Sequence, residues 1–538
     1  MSSKRLRILI FHGYLLGGTG SNVYNAQLAE ALVALGHEVH LVCQDRHPES
    51  HRFVEAAGDW DTGRLELRSL SGASEPRCTV YRPNIGTLLP VYVHDRYEGF
   101  EAKTFADCTD AEVERYVEAN VAAVREVVAH ASPQLALANH LVMGPAILAR
   151  ALEDVPYAVK VHGSALEYTV KREPKRFLPY AEEGVAAANA VLAGSRHTAE
   201  SLWEALGERF VAQHDLTRRT RLGPPGVDVH RFQPRSHDEA ASRLAGLVQR
   251  LEAAGGEAAE SKTAEADNDA FVRQEAEAAV ALASVDPAHE RIVGYVGKLI
   301  VSKGVDLLLA AWPLVLIDVP SAKLVIVGFG GFREGLERML SCLASGDLDA
   351  VAALAAEGRA LEGGRRAPLR HLLAFLDTLQ GDAREAYLQG CASLASQVTF
   401  TGRLDHAELV DLLPACEALV VPSTFPEAFG MVAAEAAACG ALPISAAHSG
   451  LAEVSEALAA AVPAEVAGLL SFQVDDRSVR ALAERVVGWL QESEDVRADA
   501  ASGVVETVGR LWSWEGVAMK VIAAAEGDVE AIPPIPAA

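Results

Sequence analysis

Residues 420–440 read VVPSTFPEAFGMVAAEAAACG. The apolar run Ala418 to Val421 predicts a buried strand, and the proline-bearing segment after it predicts a turn. From about Gly430 the alanine-rich segment has high helix propensity. Glu427 stands just before that helix and Glu435 inside it, one to two turns on. The first turn of a helix leaves backbone N–H groups without partners, so the hinge can receive an anion. A strand end, a helix start and two carboxylates suit a phosphorylated, hydroxyl-rich ligand such as a sugar nucleotide. On the residues alone, the same two glutamates also read as ordinary surface or capping groups.

Working outward, the chain repeats strand, glycine-bearing loop and helix. RIVGYVGKLIVSKGVDLLLAAW begins with a strand at Ile292 to Val296 and places Lys298 and Lys303 on a loop before a helix from about Val305. Lysine ammonium groups there can neutralise a diphosphate. AKLVIV, from Ala322 to Val327, is the next strand and ends in the turn GFGG. At the other end, RILIF (Arg7 to Phe11) leads through a loop with Gly13, Gly17, Gly18 and Gly20 into a helical pattern, then a strand from Val39 to Cys43. That is a βαβ unit, and its glycine spacing differs from the dinucleotide fingerprint. Leu135 to Asn139, Tyr157 to Val161 and Ala190 to Ala193 are further strands. His140 and His162 each follow a strand end, and Ser195 is an expected N-cap. Lys171, Arg172, Lys175 and Arg176 form a basic run, read as either an anion contact or a solvated face.

PEAFGMVAAEAAACG resembles the E-x7-E signature of the retaining glycosyltransferases of family 4, with Glu427 and Glu435 in the two glutamate places. Other segments match in order. Gly17, Gly18 and Thr19 fall on the family's GG loop, and His162 on its strand-end histidine. GPPGVDVHRFQP resembles the interdomain linker, with Pro225 where asparagine is usual and Asp228, Phe232 and Pro234 retained. Lys303 matches, whereas Lys298 replaces an arginine, which keeps the charge and loses the bidentate fork. Gly402, Arg403 and Leu404 fall on the base-binding turn, and Ser449 stands where the first of two glycines is common.

The resemblance implies an α/β GT-B fold, two Rossmann-like domains facing across a cleft, here with helical insertions in the second half. The expected domains are 1–235 on the acceptor side, 236–290 as linker and acidic insertion, 291–510 for the nucleotide sugar with an insertion at about 345–397, and 511–530 as a helix crossing back. The resemblance also implies transfer from a nucleoside diphosphate sugar to a hydroxyl acceptor, with retention and without a metal or other cofactor. His162, Lys303 and Glu427 take the catalytic places. Gly17, Gly18, Lys298, Lys303, Gly402, Arg403, Leu404, Phe429, Gly430, Met431 and Glu435 take the donor-binding ones, Glu435 at the ribose. The alternative is a catalytically silent sugar-nucleotide-binding or scaffold protein of the same fold.

Composition bounds the remainder. The 538 residues allow two or three domains. A net charge of −25 argues against nucleic acid as the main partner. The acceptor class stays open among small molecules, glycans and lipid-linked sugars, with peripheral membrane contact allowed. The seven cysteines show no CxxC pair, no DxD motif occurs where a metal site would be expected, and no apolar run reaches the length of a spanning helix. A reducing cytoplasm is the expected setting. Residues 236–290 are expected to hold one or two helices plus a flexible acidic stretch, and 480–495 and 497–525 two amphipathic helices.

Overall fold

The computed structural model describes residues 5–18, 20–73, 75–93, 99–261 and 274–536. The chain forms two compact units, one of residues 1–226 with 512–538 and one of residues 227–511. The first boundary therefore falls earlier than position 235. The described residues of the segment expected as a separate linker, 236–261 and 274–290, lie within the second unit.

The first unit is built on a nine-stranded sheet. Its strands are β1 (Arg7–Phe11), β2 (Glu38–Val42), β3 (Ala56–Asp59), β4 (Glu66–Ser69), β5 (Cys78–Arg82), β8 (Leu135–Asn139), β9 (Tyr157–Val161), β10 (Ala190–Ala193) and β11 (Thr220–Leu222). Two further strands, β6 (Leu88–Val91) and β7 (Glu101–Thr104), pair apart from it. The sheet order is β11-β10-β9-β8-β1-β2-β5-β3-β4, parallel except for β3 with β4. Strand β1 shows why both faces are covered: Ile8 and Ile10 enter one apolar cluster, Leu9 and Phe11 the other. Side chains alternate along a strand, so a continuous apolar run is stable only between two helical layers. One layer includes the helix Asp110–Ala131, opened by a capping box in which Thr109 and Glu112 each hold the other's backbone amide. The other includes Gly20–Ala34 and the C-terminal helix Trp514–Glu526, whose Trp514, Val517 and Val521 join the Ile8 cluster.

The second unit holds six parallel strands: β12 (Arg291–Val296), β13 (Ala322–Val327), β14 (Val398–Gly402), β15 (Ala418–Val421), β16 (Leu442–Ala446) and β17 (Ser471–Phe472). Their order is β14-β13-β12-β15-β16-β17. In such a sheet the C-terminal ends of neighbouring strands bring distant loops together. The loops after β12 and β15 are brought side by side in this way, because Val293 pairs with Ala418 and Gly294 with Leu419.

Local expectations are in part met and in part corrected. The helices expected over 236–290 are present, and the first, His237–Ser261, runs through the glycines near 246–256 with Leu244, Leu247 and Leu251 buried. A second helix spans Glu275–Ala283, and the acidic stretch 262–273 lies outside the described residues. The apolar segment GTLLPVYVHDRY, residues 86–97, which reads as a possible loop, contains strand β6; residues 94–98 lie outside the described residues. The end of the chain forms three helices rather than two, Ser478–Gln491, Glu494–Trp512 and Trp514–Glu526. The break comes where the Ser513 hydroxyl caps the last one by accepting from Gly516 N at 3.4 Å. The basic run is partly tied into the fold: Arg176 contacts Asp110, Glu173 and the carbonyls of Ala106 and Cys108, and Lys171 donates to Ser201. No helix among the described residues is long and apolar enough to cross a membrane.

Candidate functional site

In the second unit the loop after β12 closes into a tight turn, Val301–Lys303, followed by Gly304 and the helix Val305–Asp318. Gly304 has φ +67°, and a Cβ there would stand 2.0 Å from the Pro422 carbonyl oxygen, so only glycine lets this turn meet the loop after β15. The Ser302 carbonyl stitches the loops, accepting from Thr424 N at 2.9 Å and Thr424 Oγ1 at 3.3 Å, with Ser423 Oγ 3.1 Å away. This brings together two groups 124 positions apart, for the Lys303 Nζ contacts Glu427 Oε1. The same carboxylate oxygen accepts from Ser423 Oγ at 2.8 Å.

Glu427 is also held through its backbone. Its N–H donates to Ser449 Oγ at 2.8 Å, and its carbonyl accepts from Gly450 N at 2.9 Å. Ser449 has φ +52°, the left-handed conformation that a glycine would take. The serine keeps the glycine's backbone shape and adds an acceptor that fixes Glu427. His448 supports this corner, with Nε2 2.8 Å from Ser423 O and Nδ1 3.0 Å from Ser449 Oγ.

The helix Met431–Ala438 starts at Gly430 without a side-chain cap, so its first-turn amides are open to an outside acceptor. Phe429 and Met431 flank that start and are partly exposed. Glu435 is different: it is 3% exposed, and its Oε1 lies 2.7 Å from His406 Nε2. Burial opposes charge on His406, but the Glu435 carboxylate outweighs it and raises the histidine above its ordinary range. The Phe232 ring lies 5.0 Å from the imidazole. His406 sits at the start of the helix His406–Leu412, beside Gly402, Arg403 and the buried Leu404. The Arg403 guanidinium stacks 5.7 Å over Phe329. Lys298 is partly buried, and its carbonyl accepts from the Tyr295 hydroxyl at 3.0 Å.

In the first unit, the ends of the adjacent strands β1, β8 and β9 carry a continuous hydrogen-bond chain. His162 Nε2 lies 2.9 Å from Asn139 Oδ1, and Asn139 Nδ2 donates to Asn25 Oδ1 at 2.6 Å. Asn25 Nδ2 reaches His12 Nδ1 at 3.0 Å, and His12 Nε2 reaches Asn22 Oδ1 at 2.9 Å. Asn22 Nδ2 then donates to the Gly17 carbonyl at 2.7 Å. The directions need a proton on Nε2 of both histidines and a bare Nδ1 on His12, which makes His12 neutral, and a neutral His162 fits them. Burial produces that state, pushing His12 down to about 4 and His162 well below its ordinary range, the latter with further lowering by His140, Lys160 and His12. His162 is thus joined to the glycine loop, where Gly17 and Gly18 are exposed; Thr19 lies outside the described residues. His140 is 2% exposed with φ +68°, and neither ring nitrogen has a hydrogen-bond partner among the described residues.

The structure thus brings Lys303 beside Glu427 and joins His162 through Asn139, Asn25, His12 and Asn22 to the glycine loop. The sequence pattern assigns no role to His406, Ser423 or His448. Ser449 is visible in the sequence only as a missing glycine.

Residues 381–501 match the family model for glycosyl transferases group 1, and residues 19–214 match that for the glycosyl transferase 4-like domain; together the two cover more than half of the chain. The chain is 30% identical over 246 residues to a D-inositol 3-phosphate glycosyltransferase of Segniliparus rotundus, a match spanning 46% of this chain and 42% of that relative. Among solved structures, sucrose-phosphate synthase of Thermosynechococcus elongatus aligns over 98% of this chain and 100% of its own, at 20% identity and a TM-score of 0.53. Anabaena HepE in complex with UDP-glucose aligns over 97% and 100%, at 15% identity and 0.53. The catalytic domain of Arabidopsis thaliana starch synthase IV, bound to ADP and acarbose, aligns over 98% and 100%, at 14% identity and 0.52. With both of its domain models matched and the GT-B fold in place, the chain belongs to the group 1, family 4-like glycosyltransferases.

Proposed function

We propose that this glycosyltransferase moves a sugar from a nucleoside diphosphate sugar to a hydroxyl acceptor with net retention at the anomeric carbon. The observation that carries the reading is the contact of Lys303 with Glu427 at the uncapped start of the helix Met431–Ala438. A diphosphate entering there meets the Lys303 ammonium and open helix amides, both suited to charge that grows on a leaving phosphate. Glu427, fixed by Ser423 and Ser449, accepts from sugar hydroxyls, and Glu435 takes the ribose. His162 of the first unit faces the donor sugar, and the exposed glycine loop supplies acceptor-side contacts, as the family likeness implies. The glycosyl–oxygen bond to the phosphate breaks, the acceptor oxygen bonds to the same face of the anomeric carbon, and the acceptor's proton passes to the departing phosphate. The charge is carried by Lys303 rather than a metal, so a chelator leaves the rate unchanged. A reducing cytoplasmic setting is part of the reading, supported by seven free cysteines.

The test is a panel of UDP-, GDP- and ADP-sugars, followed for binding and for slow release of free nucleotide. Saturable binding with hydrolysis of one donor is expected. Binding without turnover, with every acceptor class supplied, would leave a silent scaffold. An inverted product anomer by NMR would overturn retention.

A further inference from the structure

The expected insertion at 345–397, which enters the group 1 family model only from residue 381, sends one of its earlier residues to the lysine turn. It forms the helices Leu348–Glu357, Arg370–Asp377, Asp382–Cys391 and Leu394–Gln397, with a short turn Arg359–Glu362 after the first. The insertion is anchored to the second unit's core, where the Tyr387 hydroxyl donates to the Ala310 carbonyl at 2.9 Å. The Arg359–Glu362 turn is itself closed by Arg359 N to Ala367 O at 3.0 Å and Gly364 N to Arg359 O at 2.9 Å. It packs on the glycine turn after β13, where the Glu362 carbonyl lies 3.2 Å from the place a Cβ would take on Gly331.

From this base Glu362 Oε2 accepts the backbone N–H of Val301 at 2.7 Å, while its Oε1 accepts from Arg359 Nε at 2.9 Å. Val301 opens the turn Val301–Lys303, and Ile300 before it offers no side-chain cap. The Glu362 side chain is 9% exposed. A charge-assisted bond from a nearly buried carboxylate to an otherwise uncapped amide fixes the turn more firmly than a neutral one. The element it fixes ends in Lys303.

We propose that Glu362, held by Arg359, is a positioning residue for the donor diphosphate: the insertion caps the turn that presents Lys303. This rests on the donor-site reading above. Without the cap the Val301 amide turns to water, the turn samples other conformations, and Lys303 no longer stands ready beside Glu427. The insertion is then a working part of the donor site rather than decoration.

The experiment measures affinity of the full chain for the nucleoside diphosphate that binds best (UDP, GDP or ADP) and for its monophosphate. The variants are Glu362→Ala, Glu362→Gln and Lys303→Ala. Glu362→Ala is expected to weaken the diphosphate about tenfold and leave the monophosphate within twofold. Glu362→Gln, which keeps an acceptor for Val301 N, recovers most of the loss. Equal weakening of both nucleotides, or no weakening by Glu362→Ala where Lys303→Ala does weaken, overturns the proposal. If Lys303→Ala also changes nothing, the donor-site reading fails and takes the proposal with it. Should Glu362→Ala not fold, Arg359→Ala replaces it: a selective two- to threefold loss of diphosphate affinity is expected, and no loss overturns the proposal.

Discussion

Two histidines, one in each unit, serve opposite electrostatic roles. His162 ends a run of neutral amides and imidazoles that reaches Gly17, and burial among like groups keeps it uncharged. His406 faces the nearly buried carboxylate of Glu435, which holds it toward the charged form. The first unit's site is organised by hydrogen-bond direction, the second's by ion pairs: Lys303 with Glu427, and His406 with Glu435. The difference teaches that a histidine's role in this chain is set by its partner and not by its position after a strand or before a helix.

The sharpest way to break this contrast is to remove a charge from the second unit. Lys303→Ala should lower turnover about a thousandfold, on the order of 4 kcal/mol of transition-state stabilisation, with far less effect on melting temperature. A change of under tenfold in steady-state turnover would mean that the ion pair is structural only.

Acidification should next separate the units. An unfolded histidine titrates near 6.5, whereas His12 in the fold titrates at about 4. Protonation therefore favours unfolding: His12's contribution is full above pH 6.5 and is lost as pH falls towards 4, up to about 3 kcal/mol. His406 has the opposite sign. Its folded value is raised, so the stability from its pair is present below 6.5 and is lost as pH rises through that folded value. Urea midpoints against pH should show a shallower acid limb in His12→Gln and a shallower alkaline limb in His406→Gln. Parallel curves for both variants would erase the contrast.

Smaller effects sharpen it. Asn139→Ala cuts the chain between His162 and Asn25 and should cost about 2 kcal/mol in urea unfolding, because the buried His162 Nε2–H loses its acceptor and Asn25 Oδ1 loses its donor. Ser449→Ala removes the acceptor for Glu427 N and keeps the left-handed strain, raising donor KM by about fivefold. Ser449→Gly relieves the strain and should do less harm than alanine. The reverse order would show that the hydroxyl does not hold Glu427.

Much of this is legible in the sequence. Strand β15, the hinge and the helix from Gly430 follow from an apolar run, a proline and alanines. Glu427, Glu435, Lys303 and His162 stand out because each sits in a local pattern. Their partners do not. Lys303 meets Glu427 only because β12 and β15 are neighbours in the sheet, and no local pattern records strand order. His406 is a single histidine whose meaning depends on a carboxylate 29 positions away. The helix His237–Ser261 runs unbroken through Gly246 and Gly255 because tertiary burial of Leu247 and Leu251 between them supports it, which a local pattern does not record.

The C-terminal segment has a consequence in the order of synthesis. Trp514 packs edge-on against Tyr24 at 5.4 Å, Leu222 N donates to Pro533 O at 2.9 Å, and Arg221 pairs with Glu530. On the ribosome, residues 5–226 emerge long before these partners do, and residues 227–511 emerge in between. The nascent first unit therefore waits with one helical layer incomplete and its Ile8 cluster open to chaperones, while the second unit is free to finish first.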